Sequence, residues 1–366
     1  MKGIPIDSLP VDKEIIEFIK NQKDIAIDKY SEKGGNGELF FGTHNIFKVR
    51  VALKFYYIDA KTAHEEAKLL YKIKHDNILE VLDAKLISNE YAYFLTPEIS
   101  GGDLDEFMNS HIINTYTALK IIKGLLAGVT VLHSEPNRLV HRDLKPANIL
   151  IDNSNTPKIA DFGSIKHIPQ KLNTVNGSRH SFIYRPPESI ERNEYSFQSD
   201  IYQIGIILFQ LLGGFFPYRE EDWLNSRDKK KHSNIIDDFD RQEFFSKVVG
   251  DKICKGKLLD LSSLPKYTCR SLKKIIRNAT YPDFNRRFKT TSEFLKAIHD
   301  YSSKAINWWR KDDIFYAFKP HQFHYRVILR KNKSILVQKL SKSNTWRADN
   351  KISGNLNEIS QIINKL

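Results

Sequence analysis

The 366-residue sequence predicts an α+β fold that ends in a small β-then-α module, and three observations lead there. From Asp24 a strand-like alternation runs into the glycine-rich stretch SEKGGNGELFFG and out through HNIFKVRVALKFYY, rich in β-branched and aromatic residues. The next segment, TAHEEAKLLYKIKHDNILEVL, instead places Ala63, Ala67, Leu70 and Ile73 at helical spacing. Near the end, FHYRVILRKNKSILVQKL alternates on both sides of Lys331-Asn332-Lys333, a hairpin pattern, and NLNEISQIINKL closes as a helix. A composition of 41% hydrophobic, 28% charged and 11% aromatic residues excludes wholesale disorder and collagen-like repeats.

The formal charge of +13, from 57 basic and 44 acidic residues, is unevenly spread. Residues 303–366 hold 13 Lys and Arg against 4 Asp and Glu, a surplus of 9, which leaves only +4 for residues 1–302. The tail is thus a separate electrostatic object with a boundary near residue 303. Cys254 and Cys269 cannot build a disulfide framework, and no His/Cys cluster beside them suggests zinc, so two reduced thiols are expected. The opening MKGIPIDSLPVDKEIIEF lacks the basic-then-apolar pattern of a signal peptide. The longest apolar stretch, around Ile201 to Phe216, is interrupted by Gln203 and Gln210, so no membrane span and a cytoplasmic location are expected.

Gly34, Gly35 and Gly37 form a turn whose backbone N–H groups could approach a phosphate unobstructed, although a plain hairpin turn explains them equally well. Lys54 of VALK follows on a later strand, and the helix after it carries Glu65 and Glu66 in its first turns. Glu66 is the expected partner of Lys54. The decisive segment is LVHRDLKPANILIDNSNTPKIADFG, which puts His141, Arg142, Asp143, Lys145 and Asn148 in one polar loop, with Asp161 eighteen residues past Asp143. An acid near a nucleophile, a cation for a transferred phosphoryl group, and an amide plus a carboxylate for magnesium account for the whole set.

With HRDLKPAN and IADFG in place, the chain resembles the eukaryotic-type (Hanks-type) serine/threonine protein kinases over residues 24–302. The resemblance implies a bilobal kinase fold: a small β-rich lobe at 24–99, a large helical lobe at 100–302, an N-terminal extension at 1–23 and a basic accessory module at 303–366. It implies ATP and Mg2+ as cofactors, with Lys54 on the α/β-phosphates, Glu66 orienting it, Asp143 as catalytic acid/base, Lys145 on the γ-phosphate, and Asn148 and Asp161 on the metal. Leu39, Ala52 and Leu150 would sandwich adenine, Thr96 falls at the gatekeeper position, and Pro97 and Ile99 would supply a carbonyl and an N–H to it. Glu32 stands where the family has its first loop glycine. GSRHSFIYRPPE resembles the approach to A-P-E, with Ser181 facing Asp143 and Glu188 paired to Arg287, or to Arg286 as the second choice. SDIYQIGIILFQLLGG resembles the buried large-lobe helix, whose Asp200 would brace the catalytic loop.

Lys145-Pro146 after HRDL implies Ser/Thr rather than Tyr specificity, and Arg142 ahead of Asp143 implies an activation segment ordered by phosphate, with Thr174 and Ser178 as acceptors. Outside the motifs, VDKEIIEFIK spaces Val11, Ile15, Ile16 and Ile19 as a short helix for the small lobe, and RDKKKH at 227–232 reads as a solvated loop. The expected activity is transfer of the γ-phosphoryl group of Mg-ATP to protein hydroxyls, against the alternative of a pseudokinase scaffold. Protein substrates are the implied partners, and the basic module, with Trp308, Trp309 and Trp346, suits a polyanion, an adaptor or a purely structural extension whose aromatics build a small core.

Overall fold

The computed structural model describes residues 4–31, 37–58, 64–176, 182–330, 334–352 and 355–363. Glu32, Gly34, Gly35, Ser178, Ser181, Lys331 and Lys333 lie outside the described residues. The chain divides into two compact units, one of residues 1–102 and 150–165, the other of residues 103–149 and 166–366.

In the first unit an antiparallel five-stranded sheet runs in the order Ile25–Ser31, Glu38–His44, Arg50–Tyr57, Tyr91–Pro97, Asp83–Leu86. Period-two alternation turns Phe40, Val51, Leu53, Phe55, Tyr93 and Leu95 into one apolar layer. The helix Lys13–Asn21, capped by the Asp12 carboxylate on the Glu14 N–H, lays Ile15 and Ile19 into that layer. Gly37 sits at φ 148°, and a Cβ there would stand 2.0 Å from the Phe55 carbonyl oxygen, so only glycine fits beside the Lys54 strand. The helix Glu65–Lys72 completes the unit with Ala67 and Leu70 buried.

The second unit is built around two apolar helices. Thr115–His133, capped by Asn114 on the Thr117 N–H, is long and apolar enough to cross a membrane by length and composition, yet it is a core helix that buries Leu119, Ile122, Leu125, Leu126 and Val129 against its neighbours. Phe197–Leu211 is buried on nearly every face, as a helix apolar all round must be. The segment read from sequence as a solvated loop at 227–232 is instead part of the helix Ser226–Asn234. Asn225 caps it, and His232 is buried 6.4 Å from the Phe244 ring while the charged residues stay in water. Charge without apolar periodicity had hidden that helix.

The C-terminal module belongs to the same unit. Its five strands, Asn307–Lys311, Ile314–Lys319, Phe323–Leu329, Ile335–Leu340 and Trp346–Ala348, form an antiparallel meander, followed by the helix Leu356–Ile363. Alternate residues Trp308, Phe315, Ala317, Tyr325, Val327 and Val337 face Ile359 and Ile363 of the helix. Tyr267 joins this core by stacking on Trp308 at 5.2 Å and 4°. The first strand docks through its backbone: Trp308 N–H donates to Thr115 Oγ1 (3.2 Å), whose hydroxyl donates back to the Trp308 carbonyl (3.3 Å).

Candidate active site

Lys54 lies mid-strand in the first unit, so its Nζ is held by the sheet rather than by a loop. It donates to both oxygens of Glu66 at 2.8 and 3.0 Å and stands 3.5 Å from Asp161 Oδ1. Burial alone pulls its pKa down, but the Glu66 and Asp161 carboxylates more than reverse that, and the ammonium is held charged. Glu66 Oε1 also accepts the Phe162 N–H at 3.2 Å, tying the DFG segment to the same carboxylate. Asp161 has φ 57°, a left-handed backbone that costs energy for a residue with a Cβ and that marks functional sites when the surroundings enforce it.

The segment proposed for adenine lies in the same unit. Ala52 is paired with the buried Thr96 and Val51 with Pro97, while Leu39 lies opposite Lys54. The Gly101 N–H donates to the Ile151 carbonyl and the Ile151 N–H to Gly102, which places Leu150 beside this edge. The Gly101 contact is tight: a Cβ there would lie 2.2 Å from Ile151 O. Among the described residues the Ile99 N–H donates to nothing, which leaves a backbone donor free for a planar heterocycle.

In the second unit, the catalytic loop is fastened to the core helix. Asp200, fully buried, accepts the His141 N–H (2.8 Å) and the Arg142 N–H (3.0 Å) and lies 2.8 Å from His133 Nε2. That grip holds Arg142 at φ 71°. Sequence reasoning missed a second fastener three residues on. Gln203, buried in the same helix, accepts the Leu144 N–H at 3.0 Å and donates to the carbonyls of Arg142 (3.0 Å) and Tyr184 (3.3 Å). A glutamine inside an otherwise apolar helix is the available signal, though from sequence alone it only interrupts an apolar run.

These braces position Asp143. Its Oδ2 accepts from Lys145 Nζ (2.9 Å) and Asn148 Nδ2 (3.0 Å), whereas its Oδ1, also buried, has no hydrogen-bond partner among the described residues. Asn148 Nδ2 also donates to the Asp143 carbonyl at 2.8 Å, which fixes the amide and leaves its oxygen as the atom able to accept from or ligate a hard cation. Lys145 is partly exposed, as a cation meant for a ligand must be.

The activation segment has backbone anchors of its own. Val175 and Asn176 pair with Tyr195 and Glu194, and Arg142 donates to the Asn176 carbonyl at 2.8 Å. Burial lowers the Arg142 pKa, with the tyrosine and aspartate nearby opposing that. Thr174 is half-buried next to this bridge. Farther on, Glu188 receives both guanidinium nitrogens of Arg287 at 2.8 Å and the Ser199 hydroxyl at 2.7 Å. Arg286 is elsewhere, 3.9 Å from the Tyr281 ring.

A lysine–glutamate pair beside a DFG aspartate, and a separately braced HRD loop with a clamped carboxylate, define a phosphoryl-transfer class of protein. The protein kinase domain family matches residues 33–298, and the chain belongs to that family. Among similar proteins, the serine/threonine-protein kinase VIK of Arabidopsis thaliana is 31% identical over 164 residues, 43% of this chain and 37% of the relative. The serine/threonine-protein kinase STY17 of the same plant is 28% identical over 208 residues, 55% of this chain and 36% of the relative. The serine/threonine-protein kinase TIO, also from Arabidopsis thaliana, is 29% identical over 193 residues, 51% of this chain and 14% of the relative. The matched stretch therefore spans well under half the length of each of these relatives.

Proposed function

We propose that this chain is a Mg-ATP-dependent protein serine/threonine kinase acting on protein substrates in cytoplasmic signalling. The observation that carries the reading is the asymmetry of Asp143: one oxygen is clamped by Lys145 and Asn148, and the other is buried and unpartnered among the described residues. A buried carboxylate oxygen without a donor costs stability unless something else occupies it, and a substrate hydroxyl is the donor this chemistry supplies. Bound Mg-ATP would supply the electrophilic γ-phosphoryl group and the charge neutralisation that the metal brings. Asp143 would orient the hydroxyl and take its proton as the hydroxyl oxygen bonds to the γ-phosphorus and the bond to the departing ADP breaks, and Lys145 would neutralise the charge that builds on the transferred group. Lys54, kept charged by Glu66, would hold phosphate oxygens, and the Asn148 amide oxygen and the Asp161 carboxylate are the hard oxygens that would hold the metal.

Arg142 supports a phosphorylation switch. Its guanidinium reaches the activation segment at Asn176, two residues from the half-buried Thr174, so a phosphate there would meet a buried cation. A scaffold that only holds nucleotide has no use for the second oxygen of Asp143. The deciding experiment is incorporation of labelled phosphate into a generic protein substrate by wild type and Asp143→Asn. The wild type should transfer and the folded variant should lose most turnover while retaining nucleotide binding; equal transfer by both sinks the assignment.

A further inference from the structure

The module's meander has two faces, and one of them already provides the hydrophobic core. Trp308, Phe315, Tyr325 and Val327 pack inward on the helix Leu356–Ile363 and on Tyr267. The alternate residues point the other way, and five of them are aromatic: Trp309, Tyr316, Phe318, His324 and Trp346, each half-buried rather than covered. They form one connected array. Trp309 stacks on Tyr316 at 5.0 Å and 6°, His324 lies 6.0 Å from Trp309, 5.4 Å from Phe318 and 5.0 Å from Trp346, and Tyr316 lies 6.4 Å from Trp346. Arg326 lies over Trp346 at 4.6 Å.

Two further features point to an occupant. No Asp or Glu occurs in any of the five strands, and the module carries a surplus of 9 positive charges. In the middle of the array, His324 Nε2 is buried without a hydrogen-bond partner among the described residues. Flat, half-exposed rings on an open antiparallel sheet, interleaved with cations and a spare polar ring atom, match the demands of unpaired bases, which stack on π-faces while their phosphates meet Lys and Arg. An acidic peptide would satisfy the charge and leave the rings unused. A duplex hides its bases from stacking altogether.

We infer that this outer face of the C-terminal sheet binds single-stranded nucleic acid. The rings gather around His324, with Trp309 6.0 Å and Trp346 5.0 Å from it, a compact platform of a size to stack one or two bases. The site shares no residue with the phosphoryl-transfer set, so it stands or falls independently of the kinase reading.

The test uses the full chain with fluorescein-labelled oligo(U), oligo(dT), a duplex of the same length and poly-Glu, each about a dozen units long. Either single strand should bind, quench tryptophan fluorescence and weaken steeply as salt rises. Trp309→Ala and Trp346→Ala should each weaken that binding on the order of tenfold, with heparin binding and phosphate transfer to a generic substrate unchanged. Arg326→Ser, which removes no ring from the array, should weaken it less and serves if a tryptophan variant unfolds. Absence of quenching in the wild type overturns the inference, as does duplex or poly-Glu bound as tightly as the single strands. A salt-sensitive affinity indifferent to both tryptophans overturns it too, because charge alone then accounts for binding.

Discussion

At the residue scale, Asp200 and Gln203 are buried polar side chains whose hydrogen bonds hold the catalytic loop. Gln203 satisfies the Leu144 N–H and the Arg142 carbonyl of that loop and the Tyr184 carbonyl outside it, so Gln203→Leu should cost about 1–3 kcal/mol for each of these three groups. The expected outcome is a lower melting temperature and a fall in kcat larger than any change in the KM for ATP; an unchanged kcat would confine Gln203 to a structural role. His324 gives a pH prediction. Burial lowers its pKa below the ordinary 6.5, and no carboxylate occurs in the five described strands to restore the proton. The folded chain therefore holds fewer protons than the unfolded chain just below pH 6.5, and stability must fall as pH drops through that range. His324→Gln should flatten this part of the melting-temperature profile between neutral and mildly acidic pH, and parallel profiles for the two proteins would contradict it.

At the element scale, the ion pair Glu188–Arg287 joins the start of a short helix to the segment before the last kinase helix, and both partners are buried. Removing one partner leaves a charge stranded, so Arg287→Ala should cost about 3–5 kcal/mol in urea denaturation, whereas Arg286→Ala, whose side chain only covers Tyr281, should cost little. The kinase resemblance had implied this pair, whereas the Lys54–Glu66 pair was legible in the residues themselves, because a strand lysine aimed at phosphates calls for a carboxylate to hold it. The terminal hairpin and closing helix were legible from alternation and periodicity. The other module strands were not: NWWRK and WRA are too short and too charged to alternate cleanly. Nor could sequence separate the three tryptophans. Adjacent residues on a strand face opposite ways, so Trp308 enters the core while Trp309 joins the outer array, a division that appears only once the register is known.

At the scale of the whole molecule, the charge map and the packing map disagree about where the chain divides. Charge sets residues 303–366 apart, and from sequence a chain ending near residue 302 is expected to keep generic activity because every catalytic position lies upstream. Packing places those residues in one unit with residues 103–149 and 166–302. Ending the chain at Ser302 would strip Tyr267 of its stacking partner Trp308, and would remove the acceptors of the Tyr116 hydroxyl at Ala305 (3.1 Å) and of the Tyr116 N–H at Asn307 (3.1 Å). Loss of a buried tryptophan alone costs about 3–5 kcal/mol, of which the large unit bears the part made by Tyr267 and the end of the Thr115–His133 helix. The shortened chain should therefore melt several degrees lower, since about 1 kcal/mol shifts a unit of this size by roughly 2–4 °C. It should still transfer phosphate well below its new melting temperature, because Asp200 and Gln203 hold the catalytic loop from inside the core. It should also leave a heparin column at lower salt, having given up 9 of its 13 net positive charges. Calorimetry and a phosphate-transfer assay at two temperatures check both halves: an unchanged melting temperature would make the module a mere appendage, and loss of transfer in the still-folded chain would make it part of the catalytic machinery.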